Sequence, residues 1–169
     1  MAGLRLNKMN IVIANRQRAK KISTRFLKQI TGELFRELQI TNVELGINLV
    51  SAGEMTLVNE TFLQHEGSTD VITFDHRNTE HRTPNRETEI HGELFICVEE
   101  AILQAKEFDT RWQSEVIRYV VHGVLHLLGH DDLQAIARRK MKREENRLVR
   151  LLAKRFSLAQ LSRPAKLGA

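Results

Sequence analysis

Apolar residues recur along the chain with two different spacings, and each spacing predicts one kind of element. Between residues 18 and 38 an apolar residue stands at every fourth position, which predicts an amphipathic helix; these residues are Ile22, Phe26, Ile30 and Leu34. From residue 41 to residue 50 apolar and more polar residues alternate, which is typical of a half-buried strand. Both helices and strands are therefore expected in one chain.

The same patterns predict three further strands and four further helices. The strands are expected at 10–14, 71–74 and 90–98, and the helices at 51–62, 99–108, 112–128 and 133–152. Ser51 stands three residues before Glu54, a capping-box pattern that begins the first of these helices. Gly129 ends the third. Four strands and five helices, partly segregated along the chain, predict an α+β fold.

Length and composition indicate a soluble protein with one core. The 169 residues suffice for a single compact domain, expected at 1–156, followed by a flexible basic tail at 157–169. No apolar run approaches the roughly 20 residues of a membrane span, and the N-terminus carries no secretory signal. The one cysteine, Cys97, lies in an apolar run and is predicted to be a small buried hydrophobe. These features together predict a cytoplasmic protein.

Basic residues are concentrated at the two ends of the chain, within a net charge of +5. Eight Lys/Arg and no acid precede Glu33, and eleven Lys/Arg accompany two acids from Arg138 onward. The remaining 19 acids share the middle of the chain with seven bases. Basic surfaces attract phosphate backbones, which favours a nucleic-acid partner, although a solvated helix face rich in Lys/Arg gives the same pattern.

Two histidines in the fourth predicted helix have the spacing of metal ligands. His122 and His126 are four residues apart, so they share one helix face, and their apolar neighbours make uncompensated polar rings costly. Because Gly129 turns the chain back, a third ligand can come from His130, Asp131 or Asp132. Asp132 is the first candidate and His130 its main rival, and Asp132 could instead cap the last helix. Two or three such donors with one open position are typical of a catalytic zinc site.

Gly123 follows His122 at the position where zinc peptidases with the pattern H-E-x-x-H carry a glutamate as general base. Its absence, with the basic charge, argues against a metallopeptidase. A bound metal could still acidify its water and polarise a phosphoryl oxygen, which favours a hydrolase of phosphodiesters.

Three ordered motifs resemble the YbeY family, the bacterial endoribonucleases of ribosomal RNA maturation. The segment His122 to Gly129 is similar to the family's H-G-x-L-H-L-x-G signature. The segment Thr69 to Phe74 is similar to its T-[DN]-V-L-S-F motif, and Gly92 to Ile96 to its G-D-[IL]-x-I motif. The resemblance covers roughly residues 47–152.

The resemblance implies a four-stranded mixed sheet with the histidine-bearing helix beside it, and hydrolysis of single-stranded RNA. It implies a role in processing the 3′ end of 16S ribosomal RNA and in ribosome quality control. The implied partners are the small ribosomal subunit and its assembly factors. The implied metal is one zinc per chain, held by His122, His126 and Asp132. The general base is not identified, and the candidates for lining the groove are Thr69, Asp70, Thr73 and Glu93. Thr69 and Asp70 could equally cap a turn.

The sequence departs from the family pattern at two positions. The family's usual third ligand is a histidine where this chain has Asp132, and a harder carboxylate ligand changes metal preference. Leu63 stands where the family usually has an arginine thought to contact substrate, and His65 is read as a loop residue. The missing arginine, together with the missing glutamate after His122, leaves an alternative, a ribosome-assembly RNA-binding factor whose metal is structural. The polar segment 75–89, which includes His76 and His81, is predicted to be an exposed hairpin loop with both histidines solvated.

Overall fold

The structure is a computed structural model that describes residues 7–77 and 88–162. Within these residues the chain forms four strands, β1 (Lys8–Asn15), β2 (Asn42–Val50), β3 (Val71–Asp75) and β4 (Glu89–Cys97). It also forms five α-helices, α1 (Thr24–Glu37), α2 (Ala52–Val58), α3 (Val98–Glu107), α4 (Trp112–Leu127) and α5 (Ala135–Arg155). A π-helical turn, Asn59–Leu63, extends α2, and a 3-10 helix, Leu158–Ser162, follows α5. The predicted α+β fold is confirmed.

The strands form one mixed sheet in the order β1-β2-β4-β3. The first three are parallel, and β3 runs antiparallel to β4 at the edge. Leu94 at the centre of β4 is paired with Ile47 on one side and with Thr73 on the other. The predicted hairpin loop joins β3 to β4, and its residues 78–87, with His81, lie outside the described residues.

The two faces of the sheet are covered unequally, because alternate residues of a strand point to opposite faces. On one face α1 and α4 pack over the main core, and α5 packs against both helices. The core residues of β2 and β4 on this face are Val43, Leu45, Ile47, Leu49, Ile90, Leu94 and Ile96. On the opposite face α2 covers a smaller cluster of Val50, Met55, Val58, Ile72 and Cys97. Each fully buried leucine of the main core stabilises the fold by about 1.5–3 kcal/mol relative to exposure.

Two helices begin later than their apolar patterns predict. Helix α1 begins at Thr24 rather than near residue 18, because Ser23 Oγ accepts a hydrogen bond from the Phe26 N–H (3.1 Å) and caps it. Helix α5 begins at Ala135, and its N-cap residue is Gln134. Apolar spacing locates the buried face of a helix, whereas the first residue of α1 is decided by the Ser23 cap.

The segment after α5 is packed as far as the structure describes it. Leu161, in the 3-10 helix, is fully buried in the main core. Its carbonyl accepts a hydrogen bond from the Ser23 N–H (2.8 Å), which ties it to the start of α1. The predicted flexible tail begins at residue 157. Its described part, residues 157–162, is packed against the main core through Leu161. Residues 163–169 lie outside the described residues.

Cys97 is buried at the end of β4, and burial raises the pKa of its thiol. This agrees with its prediction as a small hydrophobe. Among the described helices, none has the length and apolar character needed to cross a membrane.

Candidate metal centre

The C-terminal end of α4 reverses the chain. Gly129 has a φ of +97°, a left-handed conformation that glycine adopts without steric cost. The His130 N–H donates to the Leu125 carbonyl (3.0 Å) and the Gly129 N–H to the His126 carbonyl (3.0 Å), the two bonds of a Schellman motif. The turn therefore directs the following residues, including Asp132, back toward the last turns of α4.

The side chains of His122, His126 and Asp132 converge at this turn. One possible ligand atom from each lies within 4.8 Å of the others. The two Nε2 atoms are 3.0 Å apart, and Asp132 Oδ2 is 3.5 Å from Nε2 of His126 and 4.0 Å from Nε2 of His122. The histidine side chains are 27% and 26% exposed, so the cluster is reachable from solvent.

Each histidine is held through its other ring nitrogen. His122 Nδ1 lies 2.9 Å from Glu145 Oε2, and His126 Nδ1 lies 3.1 Å from the His130 carbonyl oxygen. Because a carboxylate and a carbonyl only accept hydrogen bonds, both Nδ1 atoms carry the proton and both Nε2 atoms present a lone pair. Metal-binding histidines are oriented by the same kind of contact.

Glu145, on α5, is a buried carboxylate with three donors. Its side chain is 5% exposed; Oε2 accepts from His122, and Oε1 accepts from Arg118 (2.9 Å) and Lys142 (3.3 Å). Burial raises the pKa of this carboxyl, but the hydrogen bonds from His122 and Arg118 outweigh burial and lower the pKa to about 2. Glu145 is therefore ionised at neutral pH and fixes the ring of His122.

The donor set fits a zinc ion. Two ligands bound tetrahedrally at about 2.0–2.1 Å stand about 3.3 Å apart, close to the separations of 3.0–4.0 Å within this cluster. Two Nε2 lone pairs facing each other at 3.0 Å repel unless a cation or a proton lies between them. Three protein donors leave one tetrahedral position for substrate or water, as in catalytic rather than structural zinc sites.

Of the three candidates for the third ligand, the structure places Asp132 in the cluster, whereas the His130 imidazole and the Asp131 carboxylate are not part of it. His130 contributes its backbone carbonyl instead. The alternative role of Asp132 as the N-cap of α5 is wrong, because the cap residue is Gln134 and has no side-chain cap bond.

Gly123 faces the sheet rather than the histidine cluster. A Cβ atom at this position would stand 2.6 Å from Leu94 Cδ2 and 3.3 Å from Thr73 Cγ2. Glycine thus allows α4 to pack closely on β3 and β4. A glutamate here would collide with the sheet, so the base of a zinc peptidase has no place in this packing, which agrees with the sequence argument against that class.

A cavity of about 190 Å³ opens beside the cluster, between α3, α4 and α5. Its wall consists of Asp70, Gln104, Arg118, Tyr119, His122, Asp132, Arg138, Met141, Lys142 and Glu145. The hydroxyl of Tyr119 is buried and has no hydrogen-bond partner among the described residues. Burial, together with the charge of Asp70, raises the pKa of this hydroxyl, so it stays protonated. The cavity wall therefore contains two residues of the metal cluster, His122 and Asp132, and three basic side chains, those of Arg118, Arg138 and Lys142.

The four groove candidates separate into two groups. Asp70 lines the cavity, and its Oδ1 also accepts from the Val71 N–H (2.8 Å) and from Thr69 Oγ1 (3.3 Å), so it serves the turn as well. Thr73 lies beside Gly123 on the α4 side of the sheet. Glu93 points to the opposite face, since its neighbour Leu94 points toward α4.

On that opposite face Glu93 pairs with His76, whose Nε2 lies 3.0 Å from Oε2. His76 is exposed, as predicted for a solvated loop histidine. Leu63, at the position of the family's arginine, is 43% exposed in the π-helical turn, and His65 is exposed after it. The structure therefore supplies no cation at the Leu63 position.

Several residues of the cavity wall were not singled out by the sequence analysis, and Glu145 and Arg138 are the two of these on which the proposed chemistry depends most. A signal for Glu145 was present, because it occupies one position of an otherwise apolar stripe on α5: Met141, Leu148, Val149 and Leu152. An acid in a buried stripe needs partners. No comparable signal marked Arg138, which is one of many bases in this helix.

Comparison with known proteins shows the family to which the chain belongs. The family model described as Endoribonuclease YbeY matches residues 12–153. A relative from Sulfurihydrogenibium sp., named Endoribonuclease YbeY, is 33% identical over 124 residues, which cover 73% of this chain and 79% of the relative. A second one with that name, from Salinibacter ruber, is 35% identical over 106 residues, covering 62% of this chain and 68% of the relative.

The fold is also shared with a solved structure. The solution structure of TM1509 from Thermotoga maritima superimposes with a TM-score of 0.64 at 22% identity, covering 94% of this chain and 99% of that protein. The family match spans both histidines, the turn at Gly129 and the helix that carries Glu145. The chain therefore belongs to the endoribonuclease YbeY family, a family of enzymes that hydrolyse phosphodiester bonds in RNA.

Proposed function

We propose that the protein is an endoribonuclease of single-stranded RNA that depends on one zinc ion held by His122, His126 and Asp132. The observation that carries the proposal is the convergence of these three donors with each histidine fixed through Nδ1. Three donors rather than four favour a catalytic metal over the structural metal of an assembly factor. Family membership supports the RNA substrate.

The bound metal would polarise a phosphoryl oxygen and acidify water. The chain's own residues would hold the phosphate beside it. Arg138 lines the cavity and donates to the carbonyls of Asp132 (2.9 Å) and Leu133 (3.3 Å), so no described acid neutralises its charge. Arg118 and Lys142 are paired with Glu145. In the family an arginine at the position of Leu63 is thought to contact substrate. Because Leu63 carries no charge, we assign the contact with the phosphate to Arg138.

A proton acceptor is also required for hydrolysis. Among the described acids of the cavity, Asp132 belongs to the metal cluster and Glu145 is occupied by three donors. Asp70 retains Oδ2 without a hydrogen-bond partner among the described residues, while Oδ1 serves the turn. We therefore assign proton acceptance to Asp70 Oδ2. The buried Tyr119 hydroxyl, protonated at neutral pH, lines the same cavity.

The proposed biological role follows the family resemblance. The substrate would be ribosomal RNA, in the maturation of the 16S 3′ end and in ribosome quality control. The partners would be the small ribosomal subunit and its assembly factors, and the location the cytoplasm.

Metal content measured by elemental analysis tests the site, with wild type beside Asp132→Ala and His130→Ala. We expect about one zinc per chain in the wild type and in His130→Ala, and none in Asp132→Ala. Loss of zinc only in His130→Ala would contradict the assignment of the third ligand.

Cleavage of a labelled single-stranded RNA tests the activity. The variant with His122→Ala and His126→Ala should not cut, whereas Glu93→Gln, on the far face of the sheet, should cut at the wild-type rate. Cutting by the double histidine variant at the wild-type rate would refute the proposal. Zinc content with no cleavage in the wild type, and with retained binding to small subunits, would instead identify an assembly factor.

A further inference from the structure

Helix α5 exposes a row of five bases on one face, which we call the basic stripe. Its members recur three or four residues apart: Arg139, Arg143, Arg147, Arg150 and Lys154. At 3.6 residues per turn they lie within about a quarter of the helix circumference, along about 22 Å. The buried residues Met141, Leu148 and Leu152 occupy another face. The stripe is therefore an array of exposed positive charge along one face of a single helix.

Most of this charge is not neutralised within the protein. Arg147 pairs with Glu144 (2.6 Å) and Glu37 (3.5 Å). In the described ranges 7–77 and 88–162, no acid forms an ion pair with the other four members of the stripe. Solvated helix faces commonly mix charges of both signs. Here like charges stand four residues apart at Arg139 and Arg143 and again at Arg150 and Lys154, a spacing that destabilises a helix.

The stripe borders a concave surface and is connected to the metal centre. A cavity of about 640 Å³ is lined by Arg143, Arg147, Arg150, Leu151, Lys154 and Arg155. At the other end of α5, Arg138 and Lys142 line the cavity of the metal cluster. Lys142 is paired with Glu145, so the positive charge that continues from the cluster to Arg139 of the stripe is that of Arg138.

We propose that the basic stripe binds the sugar–phosphate backbone of single-stranded RNA beyond the cleavage site. This proposal rests on the proposed function, because it assumes that the substrate is RNA. Four of the five members are arginines, whose planar guanidinium matches the geometry of a phosphate. Each phosphate contact releases counterions, so affinity for the strand gains a measurable dependence on salt.

The test is binding of a fluorescent single-stranded RNA of about 24 nucleotides to the full-length protein, by anisotropy over a salt series. The stripe variant carries Arg143→Gln, Arg150→Gln and Lys154→Gln. The control variant carries Lys21→Gln, Lys106→Gln and Arg111→Gln, three exposed bases outside α5. Both variants remove three positive charges from the net charge of +5.

We expect the stripe variant to lower the slope of log affinity against log salt by about 2, since each lost contact contributes about 0.7. At 0.1 M salt this corresponds to about a 100-fold weaker affinity. The control variant should change the affinity less than threefold, and Arg143→Lys with Arg150→Lys should retain the wild-type slope. Equal loss in stripe and control variants, or no loss in either, would overturn the proposal.

Two further readouts separate this proposal from the proposed function. Zinc content and hydrolysis of bis(p-nitrophenyl) phosphate should be the same in the stripe variant and the wild type. Wild-type protein that binds RNA through the stripe but cuts none would support the stripe and contradict the nuclease. Wild-type protein that does not bind the RNA would overturn the stripe. Loss of binding to phosphatidylserine vesicles in the stripe variant, with unchanged RNA affinity, would assign the stripe to a membrane and also overturn it.

Discussion

Replacing Glu145 by glutamine perturbs the metal centre without touching a proposed ligand. The carboxylate accepts from His122 Nδ1 at 2.9 Å and from Arg118 at 2.9 Å, with Lys142 at 3.3 Å. Glutamine keeps the shape of the side chain but offers one acceptor oxygen and brings an amide donor toward these donors. The variant therefore removes the negative charge that orients His122. One of the groups that donate to Glu145 in the wild type would instead face the amide N–H donors of the glutamine.

The expected loss has two parts. Loss of a group that orients a metal-binding histidine lowers metal affinity about 10- to 100-fold, which is about 1.4–2.7 kcal/mol. In the absence of metal, Arg118 loses a charged partner but keeps Asn146 Oδ1 at 2.7 Å. One charge-assisted hydrogen bond contributes about 1.5–3 kcal/mol, so we expect the metal-free protein to lose about 2 kcal/mol of unfolding free energy.

Glu144→Gln is the matched control. Glu144 is the adjacent residue of the same helix, but its partner Arg147 is 49% exposed, and such exposed pairs contribute about 0–1 kcal/mol. Zinc affinity measured by competition with a chelating dye should fall 10- to 100-fold in Glu145→Gln and less than twofold in Glu144→Gln. Equal zinc affinities in the two variants would refute the reasoning, because they would show that Glu145 does not position His122.

Three further predictions concern packing, the chain end and the metal. Gly123→Ala should lower the unfolding free energy by about 1 kcal/mol, since overpacking against Leu94 costs about 1–3 kcal/mol and exceeds the gain in helix propensity. Gly53→Ala, a helical glycine with no close neighbour beyond Ser51, should instead stabilise by up to about 1 kcal/mol in the same urea titration. Leu161→Ala should lose about 2–5 kcal/mol of unfolding free energy and lower the midpoint of thermal unfolding, because Leu161 is fully buried. A chelator should lower that midpoint in wild type and leave it unchanged in the variant lacking both cluster imidazoles, because a ligand that binds only the folded state stabilises it.

The packing of Gly123 explains why one peptidase-like feature of the sequence does not imply a peptidase. The spacing of His122 and His126 is shared with zinc peptidases, but a Cβ atom at Gly123, the residue after the first histidine, would stand 2.6 Å from Leu94 Cδ2 and 3.3 Å from Thr73 Cγ2. Close approach of α4 to the sheet therefore excludes a large side chain there. In our proposal the proton acceptor comes from another element, and the residue to which we assign that role is Asp70, which lines the cavity.

The sequence alone determined the features that depend on near neighbours along the chain. The i, i+4 spacing of His122 and His126 follows from helix periodicity, and the turn at Gly129 follows from the conformational freedom of glycine. The strand at 41–50 was predicted from alternating apolar and polar residues, because side chains along a strand alternate with a period of two. The order of strands in the sheet was not predicted, since it depends on pairing between distant segments.

Only the tertiary structure decided which groups meet around the histidines. Asp132 rather than His130 joins the cluster. The direction of the turn at Gly129 decides which side chain points back toward α4, and the number of residues after the turn does not. Glu145 lies 23 residues after His122 and on a different helix. The packing of α5 on α4 brings the two side chains together. Glu93, one residue before Leu94, lies on the face of the sheet away from α4, because one step along a strand moves a side chain to the other face. Contacts of this kind depend on how elements pack, which local periodicity does not encode.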